Sequence, residues 1–114
     1  MILAKEGMQY ACNGIIYRIG GEITVIDDGP YNGLIGIITE IRDGDDKETE
    51  NDSVDIYCYF YVPEIPCDRE QLIEKFSELY GRSMTLEDIS LDMVIMAPEM
   101  LIPLEEGPSD KKCM

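Results

Sequence analysis

The chain has 114 residues, 45% of them hydrophobic, which suffices for one packed core and excludes a chain too polar to fold. Its 24 Asp and Glu face 9 Lys and Arg, for a formal charge of −15. That excess disfavours DNA, RNA and anionic membranes as direct ligands, since each needs cations on the protein, and makes a basic protein surface the natural complement.

The first residues, Met1-Ile2-Leu3-Ala4-Lys5-Glu6, lack a long apolar h-region, and no run reaches transmembrane length, so the expectation is a cytoplasmic protein without a signal peptide. Gly14 to Ile19 reads as a short strand closed by Gly20-Gly21. Glu22 to Ile26 alternates as a strand does. Asp27 to Gly33 is dense in turn formers. Leu34 to Arg42 is the next strand, and Asp43 to Ser53 is a charged loop. Val54 to Val62 is an aromatic, β-branched strand in which Tyr57, Tyr59 and Tyr61 alternate with Ile56, Cys58, Phe60 and Val62. One set faces the core; the tyrosines then form either an exposed face or a second covered one.

Pro63 and Pro66 bracket a break. Asp68 is the expected N-cap of the one clear helix, with Gln71 completing a capping box. Leu72, Ile73, Phe76, Leu79 and Tyr80 form its apolar face, and Gly81 is its stop. Thr85 caps a further helical turn through Ile89. Leu91 to Ala97 and Met100 to Leu104 are the last strands, with Met84, Met93, Met96 and Met100 as core filling. Residues 105–114 read as a flexible tail.

Short, evenly spaced strands with one late helix predict a small β-barrel, in the mostly β, α+β class, as one domain over 1–104. The stretch Gly21 to Ile41 carries a resemblance. A Gly with an acid, an alternating strand, the turn Gly29-Pro30-Tyr31, then Gly33, Gly36 and a β-branched strand resemble the KOW motif of bacterial elongation factors and ribosomal proteins. The resemblance implies a five-stranded SH3-like barrel of KOW type with the amphipathic helix inserted before the last strands. Gly33 is expected to take a positive backbone angle, and Gly36 to mark a bulge or a close backbone approach. Ile23, Val25, Ile35, Ile37 and Thr39 are expected to face inward. The family uses this hairpin on RNA, ribosomal protein or polymerase. Here Asp27, Asp28, Glu40 and Asp43 crowd it, which favours protein over RNA.

The loop Asp43 to Asp55 holds seven acids and one Lys. It fails the EF-hand pattern, because Lys47 and Glu48 occupy the fifth and sixth positions. It reads either as a solvated connection or as an acidic surface whose carboxylates imitate backbone phosphates. Cys12, Cys58, Cys67 and Cys113 form no C-x-x-C pair and there is no histidine, so free thiols are expected, with Cys58 in the core and no metal or other cofactor. Without histidine or a Gly-rich phosphate loop the expectation is a non-enzymatic protein.

In overall character, short, acidic and without catalytic motif or targeting signal, the chain resembles the small anti-CRISPR proteins that phages and mobile elements encode. That resemblance implies an inhibitor that occupies the basic channel of a nucleic-acid-handling enzyme such as an RNA-guided nuclease. The alternative is a KOW-type adaptor that docks on polymerase, ribosome or another host protein through the tyrosine strand. A third reading is an accessory domain whose charge serves solubility alone. The candidate partner-binding residues are Asp27, Asp28, Glu40, Asp43, Asp45, Asp46, Glu48, Glu50, Asp52, Asp55, Tyr57 and Tyr59.

Overall fold

A computed structural model describes residues 2–50 and 53–104; Asp52, Cys113 and the expected tail over 105–114 lie outside them. The architecture is mostly β with one helix. The elements in chain order are β1 (Ile2–Leu3), β2 (Gln9–Cys12), β3 (Ile15–Arg18), β4 (Glu22–Val25), β5 (Ile35–Arg42), β6 (Asp55–Phe60), α1 (Pro66–Tyr80), β7 (Val94–Met96) and β8 (Leu101–Pro103). Three 3-10 turns, Gly44–Asp46, Leu86–Asp88 and Pro98–Met100, join them. Thr85 caps the second of these as expected, and its amide donates to the Asp88 carboxylate at 3.0 Å.

The main sheet has six strands in the order β7-β6-β5-β4-β8, with β1 paired to β5, and all its pairings are antiparallel. β2 and β3 form a separate hairpin. The expected closed barrel is thereby corrected, because the end strands β7 and β8 do not pair with each other. The sheet is nevertheless curled. Four strand spacings would separate flat ends by roughly 19 Å. The chain from Met96 to Leu101 reaches at most about 17 Å even when extended, and it is shortened further by the Pro98–Met100 turn.

The core fills the inner side. Ile23, Ile38, Ile41, Ile56, Cys58, Phe60 and Leu101 are almost fully buried there. Burial pushes the Cys58 thiol up to about 12, so it stays protonated. The hairpin is tied in by Tyr17, whose buried hydroxyl donates to the Pro98 carbonyl at 2.8 Å. Tyr17→Phe is expected to cost about 1 kcal/mol in urea unfolding, since it orphans one buried acceptor while keeping the ring.

Helix α1 packs through an aromatic relay. Phe76 meets Tyr31 edge-on at 5.1 Å, and Tyr31 stacks on Phe60 at 5.6 Å. The contact is one turn wide, so only Leu72 and Phe76 are buried and Ile73 is half-buried. Leu79 and Tyr80, expected on the core face, are exposed, and Tyr80 stacks on Phe76 instead. Ile65 rather than Asp68 is the N-cap. Pro66 fits the first helical position because its fixed φ suits the helix and its missing N–H is not needed there, and it keeps Ile65 extended. Gly81 ends the helix in the left-handed region, as expected. Of the late methionines, Met84 and Met96 fill the core, Met100 is half-buried and Met93 is exposed.

The inward face of β5 also differs from expectation. Gly36, Ile38 and Ile41 point in, whereas Ile35 is exposed and Ile37 and Thr39 are half-buried. A register shift between Ile38 and Glu40 inserts Thr39 as an extra residue. The bulge restores Ile41 to the core and sends Glu40 and Arg42 outward.

Candidate interaction surface

The outer side of β5 and β6 gathers much of the chemistry that the sequence singles out. Pairing places Glu40 opposite Tyr57, Arg42 opposite Asp55, and Ile37 opposite Tyr59. The loop after β5 folds back over the first half of this strip. Its anchor is Asp55, which is fully buried. One carboxylate oxygen of Asp55 accepts the Glu48 amide at 2.7 Å and the Thr49 amide at 2.9 Å, and the other accepts the Thr49 hydroxyl. Burial alone would raise the pKa of Asp55, but the bonds from Thr49 and Glu48 outweigh it and hold the group below the ordinary aspartate range.

Arg42 is the second fastener. Its guanidinium donates to Glu40 and, at 3.3 Å, to Glu48, and it lies 4.8 Å from the centre of the Tyr57 ring. The Glu40 bond raises the Arg42 pKa further. Tyr57 is consequently 2% exposed. Burial raises the pKa of its hydroxyl, and Glu48 close by adds to that.

The expected partner-binding residues therefore separate into groups. Asp45, Asp46, Glu48 and Glu50 are exposed on the loop, and Asp43 is half-buried at its start. Glu40 is committed largely to Arg42. Asp55 and Tyr57 differ from the loop acids: both are buried, and Asp55 anchors the loop. Asp27 and Asp28 are not part of the cluster. They lie in the turn before β5, at the other end of an eight-residue strand roughly 25 Å long. There the Asp27 side chain accepts the Gly29 amide at 3.0 Å, shaping the turn, while Asp28 is exposed. Asp52 lies outside the described residues.

Beyond the loop the outer strip stays open and apolar. Tyr59 and Ile35 are each 44% exposed, and Tyr61 is 40% exposed. Tyr59 and Tyr61 meet edge-on at 6.2 Å. A groove of about 670 Å3 continues from Tyr61 and Ile35 to the flank of α1. Arg42, Ile35 and Glu22 were not foreseen as part of this surface. The bulge at Thr39, which sets the outward parity of β5, has no sequence signal of its own.

No protein family, no curated protein and no solved structure matches the chain. Among the described residues no group of three or more Cys, Asp or Glu side chains is placed to hold a metal ion, and no helix is long and apolar enough to cross a membrane.

Proposed function

We propose that this is a non-enzymatic acidic binding protein that occupies the positively charged channel of a nucleic-acid-handling enzyme, acting as an inhibitor of the anti-CRISPR type. One observation carries the reading: the exposed acids of the 43–50 loop are held in place by a buried carboxylate and a shared arginine. A preorganised row of carboxylates loses little entropy on binding, and complementary charge speeds and selects association. A solvated connection kept only for solubility needs no such anchor. We also infer the SH3-like kinship, in an open form: the strand order, with a 3-10 turn joining the two end strands, supports it.

The test is target cleavage by a purified RNA-guided nuclease with increasing amounts of the chain. Cleavage is expected to fall, and Asp45→Asn/Asp46→Asn/Glu50→Gln to weaken inhibition by at least about tenfold and flatten its dependence on salt. Full cleavage at large excess of the chain sinks the reading for that nuclease. The exposed Tyr59, Tyr61 and Ile35 favour a second reading, an adaptor docking on polymerase, ribosome or another host protein. An adaptor would survive the loop changes and lose binding on Tyr59→Ala.

A further inference from the structure

The two ends of the tyrosine strand invite comparison. At Tyr57 the ring is covered by a guanidinium, and two carboxylates, Glu40 and Glu48, hold that guanidinium in place. This is how the chain satisfies an aromatic face with a cation of its own. At Tyr61, four residues on, the carboxylates recur with no arginine beside them among the described residues. The Tyr61 hydroxyl lies 3.5 Å from Glu22 Oε2, and Glu64 and Asp68 line the same groove. Ile35, Leu72 and Val62 supply apolar wall. Among the described residues Lys75 is the one cation lining it, against three acids. Among the described residues the one guanidinium–ring pair is Arg42 over Tyr57.

We propose that this groove takes an arginine-bearing segment of the partner protein, its guanidinium stacked on Tyr61 and paired with Glu22 or Asp68, its apolar neighbour seated against Ile35 and Leu72. Stacking on a ring and forked bonding to carboxylates are what arginine does and lysine does less well. The size falls within the roughly 300–1,000 Å3 of small-ligand sites, enough for a short segment rather than a domain. Charge decides the occupant. A second copy would bring another formal charge of −15 to an acid-lined groove, and nucleic acid would bring phosphates to it; both are repelled. The inference rests on the proposal above that the partner surface is basic, and it adds where and by which side chain that surface is gripped.

The experiment titrates the full chain with the blocked peptide Leu-Arg-Leu-Arg, followed by amide NMR shifts, with Leu-Lys-Leu-Lys and Leu-Glu-Leu-Glu as comparisons. Shifts are expected at Gly33, Ile35, Val62 and Gln71, with the arginine peptide tightest and the glutamate peptide silent. Tyr61→Leu and, separately, Glu22→Gln/Asp68→Asn should each weaken binding about tenfold; all three positions are exposed, so the fold is retained. Asp45→Asn/Glu50→Gln should leave it unchanged. Shifts confined to the 43–50 loop, equal binding of arginine and lysine peptides, or binding of the glutamate peptide would each overturn the proposal. So would concentration-dependent broadening without peptide, the mark of a second copy in the groove. Peptide binding lost while nuclease inhibition persists overturns the groove alone. Inhibition absent while peptide binding persists overturns the channel reading alone.

Discussion

Gly36→Ala is expected to destabilise the protein by about 4 kcal/mol, at the exceptional end of single substitutions, and so to abolish most of the cooperative urea transition. A methyl group built at this position stands 2.2 Å from the Tyr59 carbonyl oxygen and 2.8 Å from both Cα and a ring carbon of Phe60. Two of these three atoms are backbone. They cannot retreat without opening the ladder between β5 and β6, which holds the aromatic strand in register. A flexible neighbour would swing aside at modest cost; a paired backbone does not. Gly33→Ala is the contrast. Its φ is 85°, which opposes a side chain, but no atom lies within 4 Å of the added carbon. The expected cost there is about 1 kcal/mol. Equal losses at the two positions would show that the close approach does not limit packing. Because Ile35 and Ile37 flank Gly36 and point the other way, the loss also reaches the outer strip through strand register.

What the sequence made legible was local, and what it hid was decided across strands. Gly33, Gly81 and Thr85 announced their roles because each answers a backbone requirement within a few residues, whereas Gly36 signalled a close approach without naming β6 as the neighbour. Cys58 and Phe60 announced their burial by simple alternation. The same alternation misled in β5. Counting by twos from Ile35 puts Ile37 and Thr39 inward, but the partner of Ile35 is Thr24, an outward residue, so the true parity begins at Gly36. The bulge at Thr39 then shifts the parity again, for reasons that lie in β6 and not in β5. The site was legible as composition and not as geometry. Seven acids in one loop could be counted. That Asp55 is the buried post on which the others stand could not, because an aspartate beside a strand looks the same whether it faces water or two amides. Tyr57 and Tyr59 likewise look equivalent until Arg42, an outward residue by virtue of the bulge, covers one of them.

Asp55→Ala is expected to cost about 3 kcal/mol, since it orphans the Glu48 and Thr49 amides and the Thr49 hydroxyl together, and bonds to a charged acceptor are the stronger kind. Removing one negative charge from an overcharged chain offsets a small part of this. Asp55→Asn keeps an acceptor and should cost less. The pH dependence gives the sign. The folded pKa lies below the ordinary aspartate value of about 3.9, so the contribution of Asp55 is fully present above that value and is lost as the pH falls through the lower folded one. Wild type should therefore lose more stability between neutral pH and pH 3 than Asp55→Asn does; parallel losses would mean that the carboxylate is not charged in its pocket. The same variant separates presentation from charge. Asp55 is fully buried, so its own charge never meets a partner. If the acidic loop works by being held in place, Asp55→Asn should speed amide exchange at Glu48 and Thr49 and weaken nuclease inhibition more than Asp45→Asn, which removes an exposed charge. If net charge alone matters, the two variants should be equivalent, and the anchored loop is then only a well-made turn.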